Sequence, residues 1–385
     1  MFSLSDYKYT LPEGLIAQEA IHPHHDARMM VIDRETGEIE AETTFWNITD
    51  YLSDNRVIFF NDSRVVRSRV ILNNIKYTKA NGNSGILVHG EIFYLSSITE
   101  NTFDALIRPG NKFGVGTIFE VWEYTIEVIK INESGRILKI IGGNISSFLE
   151  KHGSLPLPPY IKYDESKEAD YQTSFAKNDW SVAAPTASLH FTQELMDKIE
   201  CTKEYITLHV GLGTFKWIQT PDIRDYNIHS EKIEIPLNIF QKIEIIKNEN
   251  KKIVAIGTTA TRTLESLPYL WKNMSIDIKN SFDANTCNYW NTLTKSLESQ
   301  NWIDLVQVNY EFWIMSFDTS IYITPGYEFL IVDDIITNFH LSESSLLVLV
   351  SAFLGYKNTR KIYDYAIWAH YRFYSFWDGM YIRWK

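Results

Sequence analysis

Between about residue 70 and residue 145 the chain changes its rhythm. Before that stretch, Ala27–Asp33 (ARMMVID) reads as a strand, Phe45–Asp54 as a short helix and Arg56–Phe60 (RVIFF) as a buried strand. Inside it the pattern becomes short β segments: Ser84–Leu95, Phe103–Arg108, Ile118–Ile131 and Arg136–Ile141. Turn signals such as Asn81-Gly82-Asn83 and Arg108-Pro-Gly-Asn111 separate them. Regular short strands with little helical periodicity point to a small barrel or sandwich. After Gly153 strands and helices alternate again. Tyr205–Val210 and Ile253–Ile256 read as buried strands. Thr192–Ile199 reads as a helix with Thr192 as N-cap. Ile239–Lys247, Thr259–Ser266, Ser342–Leu354 and Thr359–Tyr371 are further helix candidates. The pattern predicts an α/β fold: a mixed-sheet main domain over 1–68 and 152–385, interrupted by an inserted small β-barrel domain over 69–151. Asn273–Asn301 is polar and weakly patterned, and reads as a surface insertion.

A chain of 385 residues that is 45% apolar and 22% charged can bury the cores of two such domains. Its net charge of −11 argues against coating nucleic acid by bulk charge, but the average hides a polarity. Residues 1–55 carry 3 Lys/Arg against 11 Asp/Glu, whereas residues 357–385 carry 6 against 2. Asn61-Asp-Ser-Arg-Val-Val-Arg-Ser-Arg69 adds three arginines against one Asp. Two such basic segments can make a local patch if the fold brings them together. Two cysteines, Cys201 and Cys287, exclude a disulfide scaffold and a Cys-rich zinc module. The start Met1-Phe-Ser-Leu-Ser-Asp has neither a basic head nor an apolar run, so no signal peptide is expected. The longest apolar run, Leu346–Leu354, is far short of the ~20 residues that span a bilayer. A cytoplasmic chain with no membrane contact, and a monomer, is the expectation.

Several segments carry groups suited to chemistry. Trp180-Ser-Val-Ala-Ala-Pro-Thr-Ala-Ser-Leu-His-Phe-Thr192 surrounds His190 with small residues that let backbone approach a ligand, and Thr186 and Ser188 add donors. An ordinary loop with a satisfied core histidine is the simpler reading of that segment alone. Thr207-Leu-His-Val-Gly-Leu-Gly-Thr-Phe215 runs a strand into Gly211 and Gly213, whose N–H groups can cradle an anion or a ribose; a plain turn is the alternative. Ile253–Ser266 ends a buried strand in Gly257 and opens a helix with Thr258 and Thr259, one turn before Arg262. Ligands of α/β sheets sit at such carboxyl ends. His229-Ser-Glu231 and Asp333–His340 cluster polar groups beside apolar ones. His22-Pro-His-His-Asp26 looks like a metal tract but lacks partner spacing, so a solvated loop is expected and no metal. Tyr371-Arg-Phe-Tyr-Ser-Phe376 interleaves Arg372 with aromatics, as base stacking on RNA would need; an aromatic core edge is the alternative.

Taken in order, these segments resemble the S-adenosylmethionine:tRNA ribosyltransferase-isomerase family. The matching motifs are Leu11–Gln18, Phe60–Val65, Leu155–Tyr160, Tyr171–Thr173, Ser181–Thr192, Leu208–Phe215, His229–Glu231, Gly257–Ser266, Pro325–Tyr327, Ile336–Leu341 and Arg372–Ser375. Residues 267–320 match poorly and are longer than the family pattern. The resemblance implies an α/β fold with an inserted β-barrel. It implies that the ribosyl part of S-adenosylmethionine, acting as ribosyl donor, is moved and isomerised onto 7-aminomethyl-7-deazaguanine at the wobble position of a tRNA. The products are then epoxyqueuosine-tRNA, adenine and methionine, a step of queuosine biosynthesis. The sulfonium acidifies the ribose C5′ hydrogens, so a positioned general base can remove one. Under this reading the base lies among His190, His229 and Asp62, with His190 leading. Thr186, Gly211, Gly213, Thr258, Thr259 and Arg262 hold the donor's polar groups, and Arg64, Arg67 and Arg372 meet tRNA backbone.

The chain departs from the family pattern at Trp180 and Trp377, where the family has Gly before Ser-Val-Ala-Ala-Pro-Thr and before the C-terminal Asp. A third departure, Ser188 for Gly, is mild. The composition carries the same mark. There are 11 Trp and 18 Gly in 385 residues, whereas a usual ~7% glycine would give about 27. Some bacterial lineages read UGA as Gly, and a gene of that kind written with UGA as Trp would show this excess and this deficit. Real aromatic substitution with local repacking is the alternative. Two other functions compete with the transferase: a methyltransferase, for which Gly-Leu-Gly falls too late in the chain, and a catalytically inactive RNA-binding relative, which real tryptophans would favour.

Overall fold

Arg28–Asp33, Arg56–Asn61, Lys252–Ile256 and Asp334–Asn338 are largely apolar, with little polar alternation, so both faces of any sheet they form need cover. In the computed structural model they belong to one ten-stranded sheet, the last three at its middle and Arg28–Asp33 one strand in from an edge. The structure describes all residues but Met1, Glu133, Ser134, Pro159, Leu212, Thr214, Phe215, Lys216, Ser299 and Trp377. The strand order is Ile303–Asn309, Ile314–Thr319, Glu231–Pro236, Thr202–Leu208, Arg56–Asn61, Lys252–Ile256, Asp334–Asn338, Gly379–Arg383, Arg28–Asp33 and Ile39–Thr44. The four strands from Thr202–Leu208 to Asp334–Asn338 run parallel to one another. The three at the first edge are antiparallel. The sheet is therefore mixed, as the sequence predicts.

Alternate residues of the central strands go to opposite faces. Met30, Ile32, Val57, Phe59, Ile253, Ala255 and Ile335 join a core covered by the helices Ile239–Asn248, Gly257–Asn273, Ser345–Leu354 and Tyr356–Trp368. Met29, Val31, Ile58, Phe60, Val254, Ile256 and Ile336 join a second core under the helix Gln193–Lys198 and the turn Phe45–Asp50. Thr192 caps that helix as predicted, its hydroxyl accepting from Leu195 N.

Residues 69–141 close a six-stranded antiparallel barrel in the order Arg136–Ile141, Thr102–Arg108, Ser84–Ser97, Arg69–Thr78, Ile118–Val121 and Tyr124–Ile131. The helix Ile145–His152 contributes Phe148 and Leu149 to the barrel core. Where the chain enters and leaves the barrel, Arg69 and Ser154 exchange backbone hydrogen bonds of 3.2 and 2.8 Å.

Some local expectations change. The predicted helix Phe45–Asp54 is a 3₁₀ turn ending at Asp50, because its apolar residues Phe45 and Ile48 follow a three-residue spacing. The single segment Ile118–Ile131 is a hairpin broken at Trp122-Glu123. The predicted Thr359–Tyr371 helix is Tyr356–Trp368. Asn273–Asn301 is less peripheral than its polarity suggests: it forms helices Ile276–Lys279 and Ala284–Leu293, and Trp290 is fully buried with its indole N–H donating to the Phe240 carbonyl at 2.9 Å.

Candidate active site

Because four neighbouring strands are parallel, their carboxyl ends meet at one edge of the sheet, the edge at which α/β folds bind ligands. Asp62, His209, Gly257 and Phe339 follow those four ends directly. The segment after Trp180 is stitched onto this edge. Val182 N donates to the Val210 carbonyl at 3.0 Å, and Val210 N donates to Ser181 Oγ at 2.9 Å. Thr186–Ser188 then forms a 3₁₀ turn that packs against the start of the helix Gly257–Asn273. Gly257 takes φ +84°, a backbone state that disfavours side chains, and a Cβ on it would touch Ala187 Cβ at 3.4 Å.

His190 is enclosed beyond that turn. Its ring stacks on Phe45 with centroids 3.9 Å apart, and Nε2 lies 3.2 Å from Asn338 Oδ1. Asn338 Nδ2 in turn donates to Thr186 Oγ1 at 3.3 Å. Burial pushes the imidazole pKa down to about 3, outweighing the upward pull of the Asn338 hydrogen bond. The ring is therefore neutral at physiological pH. A narrow cleft beside it is lined by Ala20, His24, Leu189, Arg372 and Ser375. Two hydroxyl oxygens near the turn, Ser188 Oγ and Thr259 Oγ1, are buried with no partner among the described residues. Buried polar atoms normally have partners, so these two suit a polar ligand.

A second cluster lies under the loop that follows Thr202–Leu208. Glu231 is buried; one carboxylate oxygen accepts from Gly211 N at 3.1 Å and lies 3.3 Å from His229 Nε2, and the other pairs with Arg262 Nη1. Burial alone would raise the Glu231 pKa, but Arg262 and His229 outweigh it and hold the carboxyl at about 2. Arg262 Nε also donates to the Ile321 carbonyl at 3.3 Å, while its Nη2 is buried with no partner among the described residues. A Cβ on Gly213 would fall 2.1 Å from His229 Nδ1, so the loop lies directly on that ring.

The other predicted residues take distinct places. Asp62 is buried and its Oδ1 accepts from Thr207 Oγ1 at 2.7 Å and Asn178 Nδ2 at 3.1 Å. Thr258 is buried in the first turn of its helix. Arg64 and Arg67 are exposed, facing Asp179 at 4.0 Å and Glu168 at 2.9 Å. Arg372 lines the His190 cleft and pairs with Asp378 at 3.3 Å. The His22–Asp26 segment is not the solvated loop expected. His24 bonds the Leu189 carbonyl and Asp170 at 3.1 Å each, and His25 is buried on Thr192 Oγ1 at 2.6 Å, because Ala27 and, on the following strand, Met29 and Val31 pack into the second core and draw the segment against it. Asn338 and Glu231 are functional neighbours that sequence reasoning missed. Both lie inside segments flagged for clustered polar groups, but which side chain faces the site depends on the sheet.

A profile of the queuosine biosynthesis protein family matches residues 4–382. A protein named S-adenosylmethionine:tRNA ribosyltransferase-isomerase from Fusobacterium nucleatum is 38% identical over 98% of this chain and 96% of its own length. One of the same name from Halothermothrix orenii is 36% identical over 98% of this chain and 99% of its own. A solved S-adenosylmethionine tRNA ribosyltransferase from Thermotoga maritima is 27% identical with a TM-score of 0.49, covering 98% of this chain and 99% of that one.

Proposed function

This chain belongs to the queuosine biosynthesis protein family and is an S-adenosylmethionine:tRNA ribosyltransferase-isomerase, and we propose that the carboxyl edge of its parallel strands is where the reaction runs. The observation that carries this placement is a neutral, enclosed His190 on the same short segment as an unpartnered Ser188 hydroxyl, with the Thr259 hydroxyl across the turn. S-adenosylmethionine is the ribosyl donor, and 7-aminomethyl-7-deazaguanine at the tRNA wobble position is the acceptor.

His190 accepts a proton from the ribose carbon next to the sulfonium. Its burial keeps water away from the carbanion that forms; the low basicity that burial also brings works against proton abstraction, so the role rests on the position of the ring and not on its pKa. Asn338 orients the ring, and Thr186 orients Asn338. Asp62 and His229 are weaker candidates for the base, since Asp62 is held by Thr207 and Asn178 and His229 leans on Glu231. Thr258, Thr259 and the Gly211–Gly213 loop bind the donor's ribose and carboxylate, with Arg262 fixing that loop through Glu231. Arg64, Arg67 and Arg372 bind the RNA backbone near a wobble base splayed from its loop. The products are epoxyqueuosine-tRNA, adenine and methionine. The barrel acts as a separate inserted domain over 69–151, and the enzyme works as a cytoplasmic monomer. No helix among the described residues is long and apolar enough to cross a membrane.

The test is adenine release from S-adenosylmethionine with tRNA carrying the deazaguanine precursor. His190→Gln is expected to lose roughly 10²–10⁴-fold in turnover while donor binding, read by calorimetry, stays within a few-fold. Near-normal turnover would overturn the assignment of His190.

A further inference from the structure

We propose that glycine, not tryptophan, occupies positions 122, 180 and 313 in the protein the cell makes. The backbone geometry at these positions points to glycine whatever the catalytic residues are. Trp122, Trp180 and Trp313 have φ of +52°, +97° and +53°. Tryptophan is 11 of 385 residues, yet it supplies three of the nine non-glycine residues with positive φ among the described residues. Asparagine, which tolerates that region, supplies two more, Asn74 and Asn250. A bulky side chain there is an outlier, whereas glycine is at ease.

Each of the three also sits where a recurring turn or bulge takes glycine. Trp122 is the first of the two residues joining Ile118–Val121 to Tyr124–Ile131, with Val121 opposite Tyr124. Of the two turn residues only Trp122 has positive φ, the pattern of the type II′ turn, whose first position is glycine. Trp180 lies in a bulge: the pairing with the Ser63–Val65 strand shifts register between Asn178 and Ser181. The pair is parallel, and the φ of +97° at this irregular position is one that glycine adopts and side chains rarely do. Trp313 ends the four-residue loop between Asn309 and Ile314, where Asn309 Oδ1 accepts from the amides of Glu311 and Phe312 before the chain turns back through a left-handed residue.

Exposure alone does not sort the tryptophans, since Trp217 and Trp368 are exposed without a positive φ, but two others contrast with these three in both respects. Trp271 and Trp290 are fully buried, and their indole N–H groups donate to Asn291 Oδ1 at 3.0 Å and to the Phe240 carbonyl at 2.9 Å. Trp122, Trp180 and Trp313 are 58%, 40% and 58% exposed. A cell that reads UGA as glycine and UGG as tryptophan would make both kinds, and a single reading of UGA as tryptophan would merge them. Position 180 matters for the site. The Trp180 ring leans on Tyr94 of the barrel with centroids 5.7 Å apart, directly before Ser181, whose hydroxyl holds the catalytic segment to Val210. Glycine removes that indole from the seam between the barrel and the site and leaves the bulge relaxed. Trp377, which the sequence pairs with Trp180, lies outside the described residues.

Two measurements decide. Peptide mass spectrometry of the protein purified from its own cell is expected to read glycine at 122, 180 and 313 and tryptophan at 271 and 290, with UGA at the first three codons and UGG at the other two. Tryptophan masses, or UGG, at the first three positions overturn the proposal. In a host with the standard code, Trp122→Gly, Trp180→Gly and Trp313→Gly combined are expected to raise the melting temperature, while Trp290→Gly lowers it. A triple variant that melts below the tryptophan-bearing chain also overturns the proposal.

Discussion

At the scale of single residues, enclosure decides what the histidines do. His190 and His340 are both buried, and burial drives each pKa down to about 3. In the unfolded chain a histidine titrates near ~6.5, so below that pH the unfolded state binds more protons than the folded one. Stability contributed by the two neutral rings is complete above about pH 6.5 and declines as pH falls toward about 3, at roughly 1.4 kcal/mol per pH unit for each ring. Glu231 behaves differently: with its folded pKa held at about 2, its contribution begins to fade only below the usual carboxylate range. In the window between about pH 6.5 and 4.5 the two histidines act against the buried Glu265, whose carboxyl burial pushes up. Denaturant melts across that window are expected to show a histidine contribution to the slope that His340→Gln removes, by roughly 1.4 kcal/mol per pH unit; a slope unaffected by that change would contradict the burial argument. The sequence marked His190 by the small residues around it, but left it beside His229 and Asp62 as one of three bases. The stacking on Phe45 and the contact with Asn338 separate it from them.

At the scale of elements, the loop after Thr202–Leu208 explains why glycine recurs there. Gly211 brings its N–H to Glu231, and Gly213 leaves room for the His229 ring. In Gly213→Ala a methyl 2.1 Å from Nδ1 must displace the ring. Turnover is expected to fall at least tenfold, while Gly14→Ala, with open space around it, leaves it unchanged. Equal activities in the two variants would remove the loop from the site. Three of the four parallel strands and the Thr192-capped helix were legible from apolar runs and a cap residue, whereas Asp334–Asn338 read as a polar cluster. The helix read as ending at Ser266 continues to Asn273 through Pro268, because Leu267, Leu270 and Trp271 are buried along it and their packing offsets the amide proline lacks. The strands Glu231–Pro236, Ile303–Asn309 and Ile314–Thr319 were not legible. They alternate polar and apolar residues over only six or seven positions at one side of the sheet, too short a pattern to distinguish from loop.

At the scale of the whole molecule, a net charge of −11 is compatible with an RNA substrate if, as proposed, the exposed arginines of the 61–69 segment meet the RNA backbone. Arg64 and Arg67 are exposed on the connection between the strand ending at Asn61 and the barrel, and Asp62 of the same connection sits at the carboxyl edge. Arg64→Ala and Arg67→Ala are each expected to weaken tRNA binding and to flatten the slope of log affinity against log salt by about one. An unchanged slope in both variants would place the RNA elsewhere. The sequence by itself determined four strands of the large sheet, at Ala27–Asp33, Arg56–Phe60, Tyr205–Val210 and Ile253–Ile256, the position of the β-rich interruption and, through motifs in order along nearly the whole chain, the family. Those are properties of local periodicity and residue type, which survive without coordinates. Only the tertiary structure decided which groups meet: His190 with Asn338, 148 positions apart, and Gly211 with Glu231, 20 apart. The order of strands in a sheet is set by long-range packing, and no local pattern encodes which distant carboxyl ends become neighbours.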